Sequence, residues 1–221
     1  SVDSTIHDAE IASFTQNLSY PVYGVMNGRV LVNGKNSIIT VIEGDVRGSN
    51  IVSSGVAVDS AQATFRKSGN HTDVAVVGDM GNGKISGYGT IEGNQLNLSL
   101  SADSIDATSF NGFIGNGLAG TLTGHALVTG DIDNVSVEGR ITSPEIIYNG
   151  SRLNSINAGF TIKDHVLDLQ DASIGDGDGA FTVNGTLNLK SKALSMRARA
   201  KAVRIENLDR KSTRLNSSHS A

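Results

Sequence analysis

The sequence has no cysteine and no tryptophan, and only 2 of its 221 residues are proline. The absence of cysteine excludes a disulfide scaffold, a zinc ribbon, thiol catalysis and any metal held by thiolates. No apolar run approaches the roughly 18 residues that a membrane-spanning helix needs. Aromatic residues make up only 5% of the chain, so the composition does not predict a dense compact core.

The charge balance is slightly acidic. The chain has 18 Lys and Arg against 22 Asp and Glu, a formal net charge of −4. Nucleic acids and anionic lipid headgroups are held largely by clustered basic residues. We therefore predict that the protein has no nucleic-acid partner.

Patterns that could mark a reactive or ligand-binding site are better explained as turns. Gly115–Gly120 fits the dinucleotide-binding pattern G-x-G-x-x-G, which requires a following helix, but the residues after it alternate as in a strand. Gly175–Gly179 resembles a calcium-binding turn, yet the related segment Gly78–Gly83 has Asn82 where Asp178 stands. The four histidines of residues 1–208 are too scattered to suggest a metal cluster; they are His7, His71, His125 and His165. We predict no catalytic, cofactor or metal residues and no enzymatic activity.

The two ends of the sequence differ from the rest. The chain begins at Ser1 without a methionine, and we expect an internal fragment of a longer protein. Residues 209–219 resemble the translation of a common sequencing adapter, so we expect residues 209–221 to be an artefactual tail.

The remaining chain contains an internal duplication. Glu43–Gly55 has a counterpart 95 residues later at Glu138–Gly150. Phenylalanines on either side match at offsets of 95 or 96, Phe65 with Phe160 and Phe14 with Phe110. Adjacent copies predict units that stack in an elongated array, each covering its neighbour. We place the first repeat, with a lead-in, at 1–106 and the second at 107–208.

Within each copy, apolar and polar residues alternate. Leu96, Leu98 and Leu100 are separated by Asn97 and Ser99, for example, and a period of two is typical of strands with one solvated face. The best helical segment, residues 8–17, is short and weak. Asn-Gly steps predict hairpin turns or bulges because both residues tolerate positive φ; they begin at Asn27, Asn33, Asn82, Asn111, Asn116, Asn149 and Asn184. We therefore predict an all-β antiparallel meander.

The alternating apolar residues form a stripe along one face of each predicted strand, and these apolar stripes are compatible with two architectures. Two sheets could close as a sandwich or barrel, with the stripes as core. Alternatively, a long sheet curls without closing, and its apolar concave face requires a ligand or partner. Lipid acyl chains suit such a groove, since each CH₂ removed from water contributes roughly 0.8 kcal/mol. The candidate groove residues are Leu96, Leu98, Leu100, Leu122, Val128, Val135, Val137, Phe160, Ile162, Leu167, Leu169, Phe181, Val183, Leu187, Leu189, Leu194 and Met196.

A pattern of glycines and alternating apolar residues over residues 11–208 resembles one large family. It includes Gly120–Gly124, Gly130, Val137–Gly139, Pro144–Ile146, Tyr148–Gly150, Ile156–Ala158, Asp171, Gly177, Gly179, Gly185–Leu187 and Val203–Leu208. The chain is similar to the β-repeat region of the translocation and assembly module B family, TamB, which is related to the AsmA-like proteins.

The resemblance implies an elongated, antiparallel, curled sheet that forms an open β-groove from two repeats of about 95 residues. It implies a periplasmic protein of the cell envelope, anchored in the inner membrane by an N-terminal helix, whose groove carries phospholipid acyl chains toward the outer membrane. The implied partners are an outer-membrane barrel insertase and neighbouring β-repeats of the full-length chain, and an older proposed role is assembly of outer-membrane proteins. The apolar stripes would face the groove, and Arg197, Arg199 and Lys201 would face water.

The alternative is a structural or adhesin-type secreted β-repeat protein without lipid transport. A β-solenoid of that class is expected to repeat every 20 to 25 residues or so. The repeat of about 95 residues counts against it.

Overall fold

A computed structural model of the chain describes residues 1–17, 21–36, 38–176 and 179–201. These residues form one 13-stranded sheet in which the strands follow one another in sequence order. The strands are β1 (Val2–Glu10), β2 (Tyr23–Lys35), β3 (Ile38–Ser53), β4 (Val56–Ser68), β5 (His71–Met80), β6 (Gly83–Glu92), β7 (Gln95–Asp106), β8 (Leu118–Asp131), β9 (Asn134–Tyr148), β10 (Ser151–Lys163), β11 (Val166–Asp176), β12 (Gly179–Asn188) and β13 (Leu194–Lys201). Every pairing is antiparallel, which confirms the predicted all-β meander.

Several sequence-based expectations concern residues that lie outside these ranges. They are the two residues 177 and 178 of the candidate calcium turn, the C-terminal part of the second repeat at residues 202–208, and the tail at residues 209–221.

The sheet is open. Among the described strands, β1 pairs only with β2 and β13 pairs only with β12. A barrel requires its first and last strands to meet, and a sandwich requires a second sheet against the first. The closed alternative is therefore not formed, and the apolar stripes do not line an enclosed core.

The open sheet is curled. One cavity on its apolar face is lined by residues of seven consecutive strands, from Val56 on β4 to Phe160 on β10. A flat sheet has no hollow on its surface, so a single cavity bounded by so many neighbouring strands requires a concave face. We call this concave apolar face the groove and the opposite face the polar face.

Burial follows the alternation of the sequence. Along β8, Leu122, Gly124 and Ala126 are partly buried, whereas Thr123 and His125 are exposed. Only a few apolar residues of the described chain are fully buried: Met80, Ile105, Ala107, Ile146, Ala158, Ala172 and Val183. Partial burial of a whole apolar face is the expected result for a sheet on which, among the residues that the structure describes, no second sheet packs.

Three short helical segments interrupt the meander. They are α1 (Ala12–Thr15), a 3-10 turn (Ala107–Phe110) and α2 (Asn111–Ile114). The first lies inside residues 8–17, the weak helical candidate, but β1 occupies the start of that range. The other two belong to residues 107–117, which join β7 to β8 and are called the connector below.

The two sequence copies have matching strands. Strands β2 to β7 correspond in order to β8 to β13, beginning with Tyr23 and Leu118, which are 95 residues apart. The strand before each unit carries a bulge residue with positive φ, Asp8 in β1 and Ser104 in β7, which are 96 residues apart. The backbone N–H of each donates to a side chain of the next strand, Asn27 Oδ1 at 2.9 Å and Thr123 Oγ1 at 3.1 Å.

The Asn-Gly steps occupy three kinds of position. Asn82 and Asn149 lie in hairpin turns, whereas Asn111 and Asn116 lie in the connector. Three others lie inside strands, at Asn27, Asn33 and Asn184. Within strands, the Asn contributes a side-chain amide, as in the bonds from Asp8 to Asn27 and from Asp171 to Asn184. These bonds satisfy backbone groups that a bulge leaves unpaired.

Candidate functional site

The floor of the groove consists of apolar rows that cross the strands. One row pairs Leu98 of β7 with Val128 of β8 and Val137 of β9, then continues through Ile162, Leu167, Leu187 and Leu194. The next row contains Leu100, Ala126, Gly139, Phe160, Leu169, Gly185 and Met196. Each row therefore runs without interruption from β7 to β13.

The structure brings most of the candidate groove residues together on this face. Sixteen lie in strands, and Leu96 adds a third row with Gly130 and Val135. Leu122 pairs with Ile105, Phe181 with Ile174, and Val183 with Ala172. Leu189 is different: it follows β12, and its N–H donates to the carbonyl of His165 at 2.8 Å. Leu194 and Met196 are 63% and 59% exposed, because no other described strand than β12 pairs with β13.

Glycines in the floor make room for aromatic rings on the neighbouring strand. Gly139 pairs with Phe160, and a Cβ built on Gly139 would lie 2.8 Å from the ring carbon Cζ. The first repeat has the same arrangement, with Gly44 opposite Phe65 and the corresponding distance 2.4 Å. The rings therefore lie over the backbone of the next strand, in the space that a side chain would otherwise occupy.

The groove contains a cavity of about 310 Å³. Val76, Ile85 and Leu100 line it from the first repeat, and Leu122 and Phe160 line it from the second. The described residues that line it include no Asp, Glu, Lys or Arg. Apolar cavities of half this volume take up small hydrophobic molecules and exclude water, so this one suits an apolar ligand.

The connector covers one side of this cavity. Phe110 contributes to the lining, and Ala107, Met80 and Ile105 beside it are 0%, 3% and 4% exposed. The ends of β5 and β7 and the start of the connector are therefore buried more completely than most of the groove.

The polar face carries cross-strand pairs of opposite charge. Arg29 pairs with Asp3, Arg66 with Glu43, and Lys84 with Asp79. Hydrogen bonds from Arg29 lower the pKa of Asp3, and those from Lys84 and Ser60 lower the pKa of Asp79. The two faces of the sheet thus differ in chemistry: charged pairs and single exposed apolar residues such as Val77 and Leu127 meet water on one, and apolar rows line the other.

His71 lies between two carboxylates at the start of β5. Its Nδ1 contacts Glu92 and its Nε2 lies 3.1 Å from Asp73. Hydrogen bonds to Glu92 and then to Asp73 raise the pKa of His71 above its ordinary value. The protonated imidazole is therefore the form that this arrangement favours.

We expect an NMR titration to place the pKa of His71 above the ordinary value of about 6.5. Because the pKa of His71 is raised in the folded state, its interactions with the two carboxylates stabilise the folded protein at pH values below the ordinary pKa. This stabilisation is lost as the pH rises through the folded-state pKa. Glu92→Gln removes the first carboxylate and should return the pKa toward its ordinary value. A titration of the unaltered protein at or below that value contradicts this prediction.

Some groove residues were not among the candidates. Val76, Met80 and Ile85 line the cavity from the first repeat, and Ile141 lines it from the second. All of these except Met80 lie in segments where apolar and polar residues alternate, so the sequence pattern could have identified them. Met80 is the last residue of β5 and is followed by a turn. Phe110 also lines the cavity, and its match with Phe14 between the repeats was the only sequence signal for it.

The described residues form neither a metal cluster nor the strand-to-helix turn of a dinucleotide site. Within them, no group of three His, Asp or Glu side chains is arranged so that it could hold a metal ion. None of the helices in the same part of the chain is both long and apolar enough to cross a membrane. Gly115 and Gly117 of the glycine-rich motif precede β8, a strand, rather than the helix that a dinucleotide site needs.

Comparisons with protein-family models, curated proteins and solved structures found no match to this chain.

Proposed function

We propose that this chain is a segment of a lipid-transport protein and that its groove carries the acyl chains of phospholipids. The observation that carries the proposal is the unbroken set of apolar rows on the concave face, which lead into an apolar cavity. A sheet face of this kind has no apolar partner within the described residues. A ligand that covers it removes apolar surface from water on both sides of the contact.

The dimensions of the rows suit acyl chains. Neighbouring strands lie roughly 4.8 Å apart, so the seven strands from β7 to β13 extend about 29 Å across the sheet. This is close to the thickness of a bilayer's hydrocarbon core, about 30 Å, which two acyl chains fill end to end. Each methylene group that leaves water for the groove strengthens the binding free energy by roughly 0.8 kcal/mol.

Transport in this proposal is passive. The rows run in the direction in which one repeat follows the next, so a chain can move along the groove while it stays in apolar contact. No charged residue of the cavity lining holds it at one point. The segment therefore provides a path, and the energy and direction of transport come from elsewhere.

The cellular setting in the proposal rests on the resemblance to the TamB and AsmA-like proteins. By that resemblance the full-length protein spans the periplasm from an anchor in the inner membrane. It delivers phospholipid to the outer membrane, together with a partner of the barrel-insertase class and further β-repeats. The alternative of an adhesin-type β-solenoid is less well supported, because stacked solenoid rungs pair in parallel and this sheet is antiparallel throughout.

Site-specific photo-crosslinking tests the proposal. A photoreactive residue at Leu98 or Val128 should capture phospholipid when the chain is incubated with phosphatidylcholine vesicles, because both positions lie in one apolar row of the groove. The matched controls are the adjacent positions Asn97 and Leu127 on the polar face. Leu127 is apolar and 45% exposed, so it separates the effect of the groove from that of hydrophobicity alone. Equal capture on both faces would refute a lipid-carrying groove.

A further inference from the structure

The connector is held across the sheet by a contact between two glycines. A Cβ built on Gly112 would lie 2.5 Å from the carbonyl oxygen of Gly55 and 2.9 Å from its Cα. Gly55 lies in the turn before β4, whereas Gly112 precedes β8. Because both contacts involve backbone atoms, which cannot rotate away, only glycine at position 112 permits this approach.

Hydrogen bonds fix both ends of the connector. At its start, Asp106 accepts from the N–H of Thr108 at 2.8 Å and caps the 3-10 turn. At its end, the Asn111 side chain accepts from the N–H of Leu118, the first residue of β8, at 3.0 Å. Phe110 lies between these anchors, and its position in the cavity lining is therefore set by the backbone on either side.

The first repeat has a corresponding phenylalanine but lacks the glycine contact that holds the connector. Phe14 on α1 corresponds to Phe110 in the sequence duplication but is 66% exposed and does not line the cavity. The residue that corresponds to Gly112 in the first repeat is Gln16, so the close contact with the turn at Gly55 distinguishes Phe110 from Phe14. Phe14 is the natural control for any role of Phe110.

We infer that Phe110 is a specificity-determining residue that limits the length of the apolar chain held in the cavity. The inference rests on the proposed function and deepens it. The cavity is lined by residues of the groove floor and, from the connector, by Phe110. A chain that enters from the open part of the groove gains apolar contact until its methyl end meets the phenyl ring. Longer chains leave their additional methylenes in water or displace the connector.

The test measures dissociation constants of the full chain for a series of saturated fatty acids of increasing length. For the unaltered protein, affinity should rise about fourfold per methylene up to a limiting length and then level off. Phe110→Ala should move this limit to longer chains and strengthen binding of the longest acids by roughly tenfold or more. Phe110→Trp should move the limit to shorter chains.

Two further variants test whether the limiting chain length depends on the contact between Gly112 and Gly55. Gly112→Ala should shift the limit in the same direction as Phe110→Ala, because the added methyl group pushes the connector away from Gly55. Phe14→Ala should leave the chain-length profile unchanged. Circular dichroism and thermal unfolding establish that each variant is folded, and the opposite shift of Phe110→Trp provides the test if Phe110→Ala does not fold.

The outcomes separate the inference from the proposed function. If no fatty acid of any length binds the unaltered chain, the lipid-carrying groove is wrong. If fatty acids bind but the limiting length is the same in the unaltered protein and in a folded Phe110 variant of either kind, the groove stands and the role of Phe110 is overturned. A shift that Phe14→Ala reproduces also overturns it.

Discussion

Leu100→Asp is expected to reduce phospholipid capture at Val128 by roughly tenfold or more, since an unpaired carboxylate in an apolar site costs several kcal/mol. Leu100 lines the cavity and pairs with Ala126 and Gly87 in the floor of the groove. The side chain is only partly buried, so the carboxylate can reach water when no lipid is present. The sheet should therefore remain folded while the ligand is excluded. The measurement is photo-crosslinking at Val128, accompanied by circular dichroism.

The matched control is Asn97→Asp, which adds the same charge to the polar face of the same strand. It should leave lipid capture unchanged, because Asn97 is exposed and faces water. Undiminished capture in Leu100→Asp would show that lipid does not occupy the cavity. Loss of the folded sheet in Leu100→Asp alone would show that an apolar side chain at position 100 is required for folding, which contradicts an open face that tolerates a carboxylate there.

Gly83→Ala is expected to destabilise the protein by about 1–3 kcal/mol, as overpacking of a close contact does. Gly83 is the buried first residue of β6. A Cβ there would lie 2.4 Å from Ile105 N and Ser104 C and 2.5 Å from Asp103 O, all backbone atoms of β7. The strand must move to accept the methyl group. Urea unfolding measures this loss of stability. The midpoint concentration should fall, while the slope of the unfolding free energy against urea concentration stays unchanged.

Gly159→Ala in β10 provides the comparison. The nearest atom to a Cβ at Gly159 is the carbonyl oxygen of Gln170 at 3.4 Å, an ordinary contact. Its effect should stay within about 0.5 kcal/mol or be stabilising, because alanine restricts the unfolded chain. If the two variants unfold at the same urea concentration, close backbone packing at Gly83 does not contribute to stability.

The strands could be predicted from the sequence because alternation is a local property. Leu96, Leu98 and Leu100 alternate with polar residues in the sequence, and all three lie on the apolar face of β7. Their rows across the sheet follow from antiparallel hairpin pairing, which places nearest strands together and keeps the register. For this reason the large apolar residues of the second repeat could be assigned to one surface before the structure was known.

Whether that surface is open could not be predicted from the residues alone. A stripe such as Val135 and Val137 is equally compatible with a closed core and with an open groove, because both need one apolar face. The difference depends on whether β1 and β13 meet, which is a property of the whole sheet's curvature. Only the family resemblance favoured the open form beforehand.

The connector could not be predicted for a different reason. Its two helical segments have four residues each, which is too short for a period of 3.6 to be recognised. The contact of Gly112 with Gly55 joins residues that are far apart in the chain. The residues around either glycine do not distinguish it from a glycine in an ordinary turn. The Asn111-Gly112 step therefore predicted a turn or bulge, whereas the structure places it at the start of α2.

The sequential strand order affects how cooperatively the molecule unfolds. A strand whose hydrogen bonds go only to its two neighbours loses little when a distant strand separates, so stability is distributed as a chain of local interfaces. The outer strands of such a chain open most readily. The contact between Gly112 and Gly55 is an exception, because it ties the entry to β8 to the turn before β4 and bypasses the strands between them. Those strands form a closed loop of interactions, and the part of the sheet most resistant to opening is the one that surrounds the cavity.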